Sequence, residues 1–79
     1  MDGVFKGQIV LFGGGWPPVG WRLCDGSLLP VHLYAELFSI LGTRFGGDGM
    51  TTFALPKLAN VGDATYIIAM EGVFPDHPR

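Results

Sequence analysis

The sequence predicts a small α+β domain: a mostly antiparallel sheet, one amphipathic helix and long ordered glycine-rich loops. Three observations predict it. Short apolar runs with strand character sit at both ends of the chain, a single segment carries a helical period, and the stretches between them are rich in Gly and Pro yet anchored by rings. The chain has 79 residues, 48% of them hydrophobic and 15% charged, with ten Phe, Trp and Tyr among them. Such a balance favours folding over disorder despite 13 Gly and 6 Pro. At this length one core is expected, so residues 1–79 are read as a single domain with no internal repeat.

The first predicted strand is Gln8 to Phe12, whose four consecutive apolar residues suggest burial on both faces. Gly13-Gly14-Gly15 ends it, and Trp16-Pro17-Pro18 then fixes an extended, ring-anchored loop. Trp21 to Cys24 and Ser27 to Leu29 flank Asp25-Gly26, a dipeptide suited to a type I′ turn, and this predicts a β-hairpin. Pro30 precedes Val31–Leu41, where Leu33, Leu37, Ile40 and Leu41 share one helical face and His32, Glu36 and Ser39 another. Tyr34 and Phe38 widen the apolar side, so sheet, loop or a neighbouring subunit is expected to cover most of this helix, and Gly42 supplies its left-handed stop.

Thr43 to Phe53 is a loop bracketed by Phe45 and Phe53. Within it Asp48, set among Gly46, Gly47 and Gly49, is placed to accept from nearby backbone N–H groups and pin the loop. Asp25 and Gly26 are given the same organising role in their turn. Thr52 to Leu55 reads as a short strand ended by Pro56, and Lys57 to Asp63 as a turn region. Thr65 to Met70, β-branched and aromatic, suits a sheet centre, and Gly72 to Arg79 is expected to be extended.

Composition and patterning exclude several functions. A formal charge of −2 with five scattered cationic residues gives no footprint for nucleic acid or for an anionic membrane surface. The apolar runs are far too short to span a bilayer, and the N-terminus lacks the pattern of a secretory signal, so synthesis in the cytoplasm is expected. The lone Cys24 has no local base and reads as a small buried residue rather than a nucleophile. A cation at Asp48 would need further acids at alternate positions, and its loop lacks the ending of a phosphate cradle. His32 and Glu36, four apart, lack further ligands and read as a solvated helix face. With no catalytic constellation, no cofactor and no metal site expected, the chain is read as a non-enzyme. Trp16, Trp21, Phe45 and Phe53 are the candidate aromatics for an interface or a ligand, with burial in the core or between subunits favoured.

Three blocks carry a resemblance. Gly7-Gln8-Ile9-Val10-Leu11-Phe12 is followed by Pro18-x-Gly20-Trp21-x-x-Cys24-Asp25-Gly26-x-Leu28-Leu29. Then comes Leu37-Phe38-Ser39-Ile40-Leu41-Gly42-Thr43-x-Phe45-Gly46-Gly47-Asp48-Gly49-x-Thr51-Thr52-Phe53-x-Leu55-Pro56. Together they resemble the phage tail collar domain, found in short tail-fibre proteins and in bacterial proteins called microcystin-dependent. The resemblance covers residues 7 to 58, and Thr65 to Pro75 is similar to the closing segment of short family members. It implies a structural part of a phage tail or a tail-derived contractile injection particle, working as a homo-oligomer, three copies favoured, alongside other tail, fibre or baseplate proteins.

The chain departs from longer relatives after Asn60, passing almost directly to the last strand without a glycine-rich receptor-binding head. His32 and His77 do not match the zinc-binding pair of some fibre tips. A minimal connector, plug or cap is therefore expected. A small, disulfide-free chain rich in aromatics points the same way, since obligate interfaces absorb surplus apolar surface. The competing reading is a module binding a cell-surface glycan or small molecule through Trp16, Trp21 and Phe45; a third is an accessory that caps a tail protein during assembly.

Overall fold

The computed structural model describes residues 3–75. It contains β1 (Ile9–Phe12), β2 (Trp21–Leu23), β3 (Leu28–Pro30), α1 (Ala35–Leu41), β4 (Thr52–Ala54) and β5 (Thr65–Ala69). The class is α+β, and the strands divide into two antiparallel sheets, one ordered β1-β5-β2 and the other pairing β3 with β4.

β5 occupies the centre of the larger sheet because its sequence can be buried on both faces. Ile67, Ile68 and Ala69 are all fully buried. Ile68 faces the main core with Tyr66 and Met70, which packs with Cys24, Leu29, Leu37, Leu41, Phe53 and Leu55. Ile67 and Ala69 point to the other face, where their cross-strand partners are Val10 and Leu23 for Ile67, and Trp21 for Ala69. β1 is an edge strand, not the doubly buried one its composition suggests. Ile9 and Leu11 stay exposed and only Val10 and Phe12 are half-buried. Four apolar residues in a row record a lack of charge, which an edge and a centre share.

β1 enters the sheet through a bulge. The Gly7 N–H donates to the Ala69 carbonyl (2.8 Å) while the Ala69 N–H donates to the Gln8 carbonyl (2.9 Å), so two residues stand against one. Lys6 and Val73 tie the start of the chain to its far end, with a parallel bridge between Phe5 and Val73. Of the extended tail expected over Gly72 to Arg79, residues 76–79 lie outside the described residues.

The Asp25-Gly26 hairpin is absent. β2 pairs with β5 and β3 with β4, so the chain crosses between sheets at this turn instead of folding back on itself. Long-range bonds decide it: the Cys24 N–H donates to Tyr66 (3.0 Å), the Gly26 N–H to Pro56 (3.1 Å) and the Leu55 N–H to Ser27 (2.9 Å). Asp25 has negative φ, which a type I′ turn excludes.

The helix also starts later than its period suggests. The Val31 N–H donates to Thr51 (3.0 Å), extending the β3–β4 ladder and holding Val31 out of the helix. Pro30 therefore closes β3, and residues 31–34 form a turn before Ala35. Leu33 is consequently exposed, and His32 is not on the helix. Leu37 and Leu41 alone are fully buried from α1, whose Ala35, Glu36 and Ser39 face outward, so sheet and loop of the same copy cover only one side of it. Gly42 ends it at φ 59° with its N–H on the Phe38 carbonyl at 2.7 Å. The Phe38 ring meets Phe53 at 5.4 Å between centroids in a tilted arrangement, which joins helix to small sheet.

Candidate functional site

The loop from Thr43 to Thr51 is organised by one carboxylate. Asp48 Oδ1 accepts from the backbone N–H groups of Met50 (2.8 Å), Thr51 (2.8 Å) and Thr52 (2.9 Å), and Oδ2 accepts from the Thr51 hydroxyl (2.8 Å). The Asp48 N–H in turn donates to the Thr52 hydroxyl at 3.3 Å. These donors, led by the Thr52 and Met50 N–H groups, hold the carboxyl far below the usual carboxylate range, so it is an anion throughout the physiological range and no proton donor. Its bonds are spent within the loop.

The glycines around it admit close backbone approach. At Gly47, with φ 91°, an added Cβ would lie 2.7 Å from the Thr52 carbonyl oxygen, and at Gly49 it would lie 2.8 Å from Thr43 Cγ2. The Gly49 N–H donates to Thr52, and Gly46 accepts from the Ala54 N–H at 3.1 Å, so the loop is laced to β4. The second turn uses the same device. Asp25 Oδ1 accepts from the Ser27 N–H (3.0 Å) and hydroxyl, chiefly the hydroxyl lowering its pKa, while Gly26 reaches Pro56 as described.

The four candidate aromatics part company. Phe53 is 0% exposed, so it is core and cannot meet a partner or ligand; a ring beside a loop in sequence has here been drawn inward by β4. Trp21 is half-buried, lining a shallow cleft with Pro17, Leu23 and Asp25. Phe45 is exposed, and Trp16 stands 78% exposed at the tip of the β1–β2 loop. Two surface features escaped the sequence reading. Val19, in the same loop, is 99% exposed, and β1 leaves Ile9 at 37% and Leu11 at 47%. Only the pairing order, set by contacts over more than fifty residues, marks β1 as an edge.

Among the described residues the remaining groups build no reactive constellation. Burial, reinforced by the Asp25 charge, raises the Cys24 thiol pKa, which keeps it protonated and unreactive at neutral pH. Glu36 pairs with Lys6 at 2.5 Å rather than with His32. Among the described residues no three His, Cys, Asp or Glu side chains come together as a metal site.

The matching family model is the phage tail collar domain, over residues 7–61, more than half of the chain. The chain belongs to that family. The match spans both Asx-pinned turns, the Trp16 loop, α1 and both strands of the smaller sheet. The collar domain is a structural domain of phage tails and not an enzyme family, and it marks a virion component with a tail-fibre role. No curated protein matches the chain in sequence. No helix among the described residues is long and apolar enough to cross a membrane.

Proposed function

We propose that this chain is a non-enzymatic connector or cap that assembles from several copies within a phage tail or a related contractile injection particle, made in the bacterial cytoplasm and joined there to other tail, fibre or baseplate proteins. The observation that carries this reading is the outward display of large apolar side chains, Leu11, Trp16 and Val19 among them, on a domain whose Asp48 and Asp25 carboxylates are spent on its own turns. Leu11 lies on β1 and Trp16 and Val19 in the loop that follows it, and apolar surface gathered on one strand and its loop is of the kind that serves as a contact surface. The aligned match to the collar family supports the same reading. Its test is the solution mass of the purified chain across a wide concentration range, which exceeds the 8.5 kDa of one copy and holds on dilution if the reading is right.

A second reading rests on Trp16, whose exposed indole could stack on a sugar ring. Titration with glycans followed by tryptophan emission separates the two: stacking shifts or quenches emission at substoichiometric protein, and a contact between copies leaves it indifferent to sugar.

A further inference from the structure

The outer edge of β1 is built as a pairing edge. In the register with β5, Val10 and Phe12 exchange backbone bonds with Ile67 and Thr65, so the N–H and C=O groups of Ile9 and Leu11 point away from the sheet. Among the described residues nothing takes them. Edge strands are ordinarily blunted by Lys, Pro or inward charge. Here no charged residue occurs between Lys6 and Arg22, and the first proline is Pro17. The Gly7–Gln8 bulge fixes where the free edge begins.

We infer that this edge takes the β1 strand of a second copy, antiparallel about a two-fold axis through Val10. This rests on the self-assembly proposed above. The strand matches itself: Ile9 would exchange both backbone bonds with the partner's Leu11, and Leu11 with the partner's Ile9, using all four outward groups. The exposed Ile9 and Leu11 side chains would lie opposite one another on one face, an apolar cross-strand pair with no charge to repel. Two three-stranded sheets would join into one of six strands. Beyond the paired residues, Gly13 of each copy would come opposite the partner's Gly7, carrying the Trp16 loop over the partner's exposed Phe5. That extends the contact toward the roughly 800 Å² per partner of a standard interface. Such an isologous contact gives an even copy number: two, or six where two rings of three meet.

Two sets of variants test it. Leu11→Pro removes one outward N–H and leaves the bonds to β5 intact, so it should halve the mass seen by light scattering while the thermal unfolding transition is kept. In a Cys24→Ala background, Val10→Cys should give a covalent pair on mild oxidation, because residues facing across the axis have Cα atoms about 4.5 Å apart. Ile9→Cys should not, since its two copies stand about 8 Å apart. The cysteine variants keep the proposal testable if the proline variant fails to fold. An associated wild type of odd copy number, or one in which Val10→Cys does not cross-link, overturns the β1 contact and leaves self-assembly standing. A wild type that is monomeric at every concentration overturns both.

Discussion

Gly47 packs against the backbone of Phe53 so closely that a Cβ placed on it would stand 2.4 Å from the Phe53 Cα. Loop and core are thereby one construction: the turn that Asp48 closes lies directly on the strand carrying the central core ring. Gly47→Ala must both adopt a left-handed backbone and push into β4. The expected loss is about 2–5 kcal/mol, the sum of the positive-φ and overpacking costs. Gly13→Ala, where an added Cβ meets nothing within 4 Å and φ is not positive, should change stability by no more than about 0.5 kcal/mol. Urea unfolding of the two variants checks the contrast.

Asp48 should shape the acid side of the stability curve. Its folded pKa lies below its unfolded one, so its contribution is fully present above the unfolded carboxylate pKa, near 4, and is lost progressively as pH falls toward the folded value. Asp25, lowered chiefly by the Ser27 hydroxyl, adds with the same sign. Asp48→Asn keeps one acceptor oxygen but loses the charge. It should lower Tm at pH 7 and flatten the fall in Tm between pH 4 and more acidic solution. A Tm series against pH for the wild type and the variant reads both; an unchanged acid limb would contradict the role given to this carboxylate.

Core and surface rings should separate cleanly. Phe53→Ala removes a fully buried ring that packs on Phe38, and should cost about 3–5 kcal/mol. Trp16→Ala removes an exposed one and should leave the stability of the single domain within about 0.5 kcal/mol while weakening association. Chemical unfolding at low protein concentration, paired with light scattering at high concentration, distinguishes the effects.

The Lys6–Glu36 pair joins the bulge segment to α1, but Glu36 is largely exposed. Glu36→Gln is expected to cost under about 1 kcal/mol, the range of surface ion pairs, and less in high salt. A double-mutant cycle with Lys6→Met measures the coupling.

What the sequence made legible was local. β5, the stop of α1 at Gly42 and the donors around Asp48 follow from side chains within a few residues of one another, where composition and chemistry act directly. The Asp25-Gly26 turn failed as a hairpin cue because its outcome hangs on Tyr66 and Pro56, 30 to 40 residues away, which draw the two flanking strands into different sheets. The helix start failed for the same kind of reason, since the bond from Val31 to Thr51 outweighs an apolar period that fits a helix. Of the candidate aromatics, Phe53 was misplaced because a ring flanking a glycine-rich loop looks the same in sequence whether the next strand turns it in or out. The free edge of β1 could not be read at all, as a run of Ile, Val, Leu and Phe says nothing about how many neighbours a strand will have.

The claim on which the account turns is that this collar-family chain works as an assembly of copies. Light scattering behind a sizing column, from millimolar to sub-micromolar chain, tests it most directly. The expected result is a mass of two or more whole copies of 8.5 kDa that persists on dilution, an even number of copies where the β1 edges pair. A folded monomer at every concentration would contradict it.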